Sequence, residues 1–149
     1  MNTLSQYNEP SSAPTNWPDR KRLALSIVVN VEEGAEQSVR DGDPRPEPVD
    51  ELGVVLRKPQ RNLANESNYR YGIQAGAPRI LALLAEKNVT ATFTCAALSL
   101  ERAPDLAEQI IASGHEVCAH GLRWTHQHRM NESEERAFIN ATIESITTK

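Results

Sequence analysis

Apolar residues gather at several places along the chain, and their spacing differs from one to the next. Leu23-Ala24-Leu25-Ser26-Ile27-Val28-Val29 is a short, nearly continuous apolar run with β-branched residues at its end. Such a run predicts a strand buried on both faces, as in a parallel sheet. Val89-Thr90-Ala91-Thr92-Phe93-Thr94-Cys95 and His115-Glu116-Val117-Cys118-Ala119-His120 read as a second and a third strand. Between them the spacing changes to the helical period. Pro78 to Lys87 predicts a helix with proline at its first turn, where the missing N–H costs little, and Asn88 as its stop. Asp105 to Ser113 predicts another, opened by Pro104 and closed by Gly114. Phe138, Ile139, Ile143 and Ile146 recur at three- and four-residue steps in a last helix from about Ser133, capped by Asn131 or Ser133.

The order of strand, loop, helix, strand, helix, strand and helix predicts an α/β fold with parallel strands. Two stretches stand outside it. Residues 1–19 are polar and predict an extended arm, with Trp17 as its candidate anchor, ahead of a domain over 20–149. Ala35 to Tyr71 has no steady period and contains Asp43-Pro44-Arg45-Pro46-Glu47-Pro48, which forbids both helix and ladder. A loop this long in a small domain is usually functional or disordered. Val54-Val55-Leu56 is a candidate short strand within it.

Composition narrows the function. With 16 Lys and Arg against 20 Asp and Glu, the net charge is −4, and no basic face suits nucleic acid. No run approaches the ~18 apolar residues of a membrane span, and the N-terminus lacks the apolar core of a secretory signal. A cytoplasmic location is expected, with a small molecule as partner and a homo-oligomer left open. Cys95 and Cys118 lie in apolar runs and read as two reduced core thiols.

In parallel α/β folds the chemistry gathers at the carboxyl ends of the strands. After the first strand stand Glu32 and Glu33, adjacent carboxylates. Like charges this close raise one pKa, which suits a general acid or base at neutral pH; a solvated acidic turn is the alternative. After the third strand comes His120-Gly121-Leu122-Arg123-Trp124, and all four histidines fall between His115 and His128. His126 and His128 are candidates for two metal ligands, and His120 with Glu33 for two more, although no strong ligand spacing is present.

Together these two segments resemble the polysaccharide deacetylase (NodB-like) superfamily. Its first motif, Phe-Asp-Asp-Gly, supplies a catalytic base and a metal ligand, and Val31-Glu32-Glu33-Gly34 stands in that place. Its second, His-Ser/Thr-x-x-His, supplies two metal-binding histidines, and here the second position is Trp124. Indole offers only an N–H donor and cannot replace a ligand. Asn30 to Glu36 and Gly114 to Trp124 are most similar to the metal-independent, allantoinase-like branch, with support from Tyr71-Gly72, Gly76 with Arg79, Ala91-Thr92-Phe93 and Glu101-Arg102-Ala103-Pro104. The sequence departs from that branch at Arg70, where an acidic residue is usual, at Ile73-Gln74 in place of Ser-Arg, and at Pro78 in place of Trp.

The resemblance implies the N-terminal part of a distorted (β/α) barrel that needs further chain to close. It implies hydrolysis of a non-peptide C–N bond in a cyclic amide, ureide or N-acyl compound. Glu32 would be the base, Glu33 and His120 its partners, and Arg123, Trp124, Tyr71 and Glu36 the substrate contacts. No cofactor is expected. The rivals are a zinc-dependent deacetylase using Glu33, His120 and His126 or His128, and an inactive fragment or binding module.

Overall fold

A computed structural model describes residues 17–47, 53, 55–56 and 58–148. The arm expected over residues 1–19 lies outside it up to residue 16, and Trp17 is 46% exposed. Three parallel strands form one sheet in the order β1-β2-β3, with β1 at Val28–Val31, β2 at Thr92–Cys95 and β3 at Glu116–Ala119. Val28, Thr92 and Glu116 lie in one register, as do Val31, Cys95 and Ala119. All three strands therefore end level, and their carboxyl ends open onto a common rim.

Among the described residues five α-helices accompany the sheet: α1 Leu63–Tyr71, α2 Ala77–Lys87, α3 Ala97–Arg102, α4 Pro104–Ala112 and α5 Glu132–Thr147. A π turn, Gly72–Gly76, joins α1 to α2. Asn88 ends α2 in the left-handed region at φ 51°, where asparagine is better tolerated than most residues. Asn131 caps α5 through a reciprocal pair of hydrogen bonds: its side chain accepts from Glu134 N, and the Glu134 carboxylate accepts from Asn131 N. Of the two caps the sequence offered for this helix, the structure uses Asn131.

The core lies on one face of the sheet. Phe93 and Cys95 from β2 and Ile110 from α4 are fully enclosed, joined by Val31, Leu81, Leu84, Leu100 and Leu106. Burying each large side chain among them contributes about 1.5–3 kcal/mol.

Several expectations change. The first strand starts at Val28 rather than Leu23, and Leu23 and Leu25 are 76% and 79% exposed. It is not buried on both faces, because Val28, Asn30, Glu116 and Cys118 on the sheet's other face are exposed. Cys118 is accordingly no core thiol, whereas Cys95 is buried and its thiol is pushed up to about 12 by burial. Helices α1 and α3 were not anticipated from the spacing. Val54 lies outside the described residues, and Val55 and Leu56 form no strand. No described helix is long and apolar enough to cross a membrane.

Candidate active site

The chain leaves β1 through a tight turn in which Ala35 N donates to Glu32 O at 3.1 Å. Gly34 makes this turn at φ 94°, and a Cβ there would lie 2.9 Å from Ile73 Cδ1. The dihedral is the reason for glycine here, since the Ile73 methyl could shift aside. The Glu36 carboxylate folds back and accepts from Gly34 N at 2.5 Å. Glu36 is only 8% exposed, and burial raises its pKa. It closes the turn from inside and does not line the cleft beside Glu32.

The segment after β3 is fastened by backbone bonds to its neighbours. His120 N donates to Cys95 O at 2.8 Å, while Ala97 N and Leu98 N donate to Gly121 O and Leu122 O, each at 2.9 Å. Trp124 N donates to Ala35 O at 3.2 Å, which ties the β3 rim to the β1 rim. These bonds bring the two motifs together. His120 Nδ1 stands 3.5 Å from Glu32 Oε1, with side chains 45% and 33% exposed. The Glu33 carboxylate accepts from Glu32 N at 3.3 Å. It fits against Gly72 so closely that a Cβ there would meet Glu33 Cδ at 2.7 Å.

A cleft of about 410 Å³ opens beside this group, lined by Asn30, Glu32, Glu33, Asn68, Tyr69 and Trp124. Tyr69 and Trp124 meet edge to face with ring centroids 5.4 Å apart. The Trp124 indole N–H is buried and has no acceptor among the described residues.

Of the residues singled out in the sequence, Glu32, Glu33 and Trp124 line the cleft, and His120 stands at its edge through Glu32. Arg123 does not line it. Its guanidinium donates to both Asp43 oxygens at 3.0 and 2.8 Å, and also to Glu36 O at 3.1 Å. It is a structural tie between the loop after β1 and the loop after β3. Tyr71 is also outside the cleft: it is 55% exposed, and its hydroxyl accepts from Arg79 at 2.7 Å. Tyr69 and Asn68 line the cleft instead, and the sequence reading missed both. The available signal was helical: Asn62 caps α1, and the buried positions Asn65 and Tyr69 follow at a four-residue step.

The histidines separate. His115 packs on Phe93 at 5.1 Å and accepts from Ala91 N through Nδ1, at the opposite end of β3 from the rim. His126 and His128 stand together on an exposed turn, 5.5 Å apart. Trp124 occupies the place of a second histidine ligand. Among the described residues, no three of His, Cys, Asp or Glu come together to hold a metal ion. The Trp124 indole offers only an N–H donor and no lone pair for a metal, so it cannot act as that second ligand.

Comparison with known proteins agrees with this architecture. A family model described as polysaccharide deacetylase matches residues 67–149, which include the His120–Trp124 segment but not Glu32. A Schizosaccharomyces pombe protein described as "Putative polysaccharide deacetylase" is 32% identical over 135 residues, covering 87% of this chain and 42% of that protein. The crystal structure of Puue allantoinase superimposes with a TM-score of 0.80 at 36% identity, covering 89% of this chain and 44% of that one. A structure described as "probable Polysaccharide deacetylase" from Pseudomonas aeruginosa PAO1 gives the same TM-score and identity, covering 89% and 45%. The chain spans less than half the length of each of these relatives. On the family match, the shared identity and the shared parallel sheet, this chain belongs to the polysaccharide deacetylase family.

Proposed function

We propose that this chain carries the first catalytic groups of a hydrolase for C–N bonds other than peptide bonds, acting on a cyclic amide, a ureide or an N-acyl group without a metal. The observation that carries the reading is the approach of Glu32 to His120 at 3.5 Å, beside a cleft that also exposes Glu33 and Trp124. The likeness to Puue allantoinase supports the ureide class.

In this reading Glu32 takes a proton from water as the oxygen attacks the carbonyl carbon. The carbonyl π electrons move to oxygen, and the tetrahedral intermediate needs hydrogen-bond donors. Trp124 brings a buried indole N–H that has no acceptor among the described residues, and His120 brings its imidazole. Collapse of the intermediate restores the C=O bond and breaks the C–N bond, and the leaving nitrogen takes the proton held by Glu32. Glu33, anchored on Glu32 N, fixes the backbone from which Glu32 projects.

The test is hydrolysis of allantoin, other cyclic ureides and N-acetyl sugars by the full chain and by a version extended to the length of its relatives. Glu32→Gln should lower kcat about 10²–10⁴-fold, the usual worth of a positioned base, with the fold unchanged by circular dichroism. An unchanged rate would remove Glu32 from the mechanism. Loss of activity on adding a chelator, restored by zinc, would overturn the metal-free reading.

A further inference from the structure

A second cleft of about 300 Å³ lies behind Tyr69, which also lines the first. Three guanidiniums line it, from Arg40, Arg70 and Arg102, against the carboxylates of Asp41, Glu66 and Glu36. Most of the negative charge is already taken up. Arg102 pairs with Asp41 at 3.4 Å, and Arg61 holds both oxygens of Glu66 at 3.0 and 2.5 Å. Glu36 is buried, with its carboxylate turned to Gly34 N, and its burial favours the neutral form. The guanidiniums of Arg40 and Arg70 make no hydrogen bond or ion pair with any described residue, yet both act electrostatically on Glu66. Gln74 adds a neutral donor and acceptor, and Ile73 and Tyr69 add apolar wall.

We propose that this second cleft binds a small monoanionic carboxylate between Arg40 and Arg70. The paired carboxylates of Asp41 and Glu66 remain in the lining and offset part of the field of Arg40 and Arg70. That favours a monoanion over a dianion such as phosphate, which the two carboxylates would repel. A planar guanidinium matches a carboxylate in bidentate geometry. Arg70, Ile73 and Gln74 are three of the four positions at which the sequence departs from the allantoinase-like pattern, and these three meet in one place, whereas Pro78 lies outside the cleft. The binding claim stands whether or not the first cleft is hydrolytic.

The test is a titration of the full chain with sodium acetate, followed by amide and guanidinium NMR shifts. Parallel arms use sodium chloride at matched ionic strength and inorganic phosphate. Acetate should give saturable shifts at Arg40, Arg70 and Gln74. Arg40→Gln and Arg70→Gln, both exposed and away from the core, should each weaken it about ten-fold, the worth of one charge-assisted contact. Glu32→Gln should bind acetate as the parent does, which separates failure of this site from failure of the hydrolytic one. Equal shifts in chloride, unchanged acetate affinity in both arginine variants, or tighter binding of phosphate would each overturn the assignment.

Discussion

Arg123 sits inside a segment that resembles a catalytic motif, yet its guanidinium is spent on Asp43 and on the carbonyl of Glu36. The two side chains are 27% and 17% exposed, so neither is a freely solvated surface charge. Replacing Arg123 with Gln removes three charge-assisted bonds, two of them to Asp43, and leaves the partly enclosed Asp43 carboxylate with Ser38 N but without its cationic partner. The expected loss is about 2 kcal/mol, toward the middle of the range for hydrogen bonds to charged groups. At this chain length that corresponds to a fall in Tm of roughly 6 °C. Asp43→Asn should cost a similar amount, and the double variant less than the sum, with a coupling of about 1–2 kcal/mol. Acid should narrow the difference, leaving only what the bond to the Glu36 carbonyl contributes. The Arg123 hydrogen bond holds the Asp43 pKa below the ordinary value of 3.8. Its stabilisation is therefore complete above that value and is lost as pH falls through the depressed folded value. Urea unfolding of the four proteins at pH 7 and at steps below pH 4 measures both effects. A coupling indistinguishable from zero at pH 7, or a gap between parent and Arg123→Gln that does not narrow at the acid end, would refute the tie. So would an Arg123→Gln protein of parental stability that has lost substrate binding.

Three further outcomes follow from the packing. Gly72→Ala places a Cβ 2.7 Å from Glu33 Cδ, so it should displace that carboxylate and lower kcat at least several-fold in the extended enzyme, while Tm changes little because alanine favours the helix by about 0.5–1 kcal/mol. Asn131→Ala removes the α5 cap and should destabilise by about 1 kcal/mol in denaturant unfolding, without altering substrate affinity. Under native conditions at pH 8, a water-soluble thiol reagent should label Cys118 and spare Cys95, which is buried and raised to about 12; labelling of both at one rate would contradict the core as described.

The strands, the helices α2, α4 and α5 and the rim positions of both motifs were legible because each depends on local spacing or on a strand end. Helix α1 was hidden because only Asn65 and Tyr69 of its nine residues are buried, which leaves no apolar stripe to read. The length of β1 was overestimated because Leu23 and Leu25 are apolar yet exposed, and apolar sequence alone does not reveal where pairing begins. The site was half legible. Glu32, Glu33, His120 and Trp124 are close to one another through bonds that the strand ends make predictable. The partners of Arg123 and Glu36 were not, because Asp43 lies 80 residues from Arg123, inside a loop with no period. The choice of Tyr69 over Tyr71 turns on which side of α1 faces the cleft, and two residues on a helix point in opposed directions.

The strand order β1-β2-β3 is also the order in which the strands leave the ribosome. No strand has to be threaded between two that are already paired. β2 can dock on β1 as soon as α2 has formed, and β3 then adds to an open edge. Phe93, enclosed at the middle of the sheet, becomes fully covered only when β3 and α4 arrive. Assembly of this part of the molecule can therefore proceed stepwise during translation, each strand adding beside its predecessor, with the middle strand waiting longest for its cover.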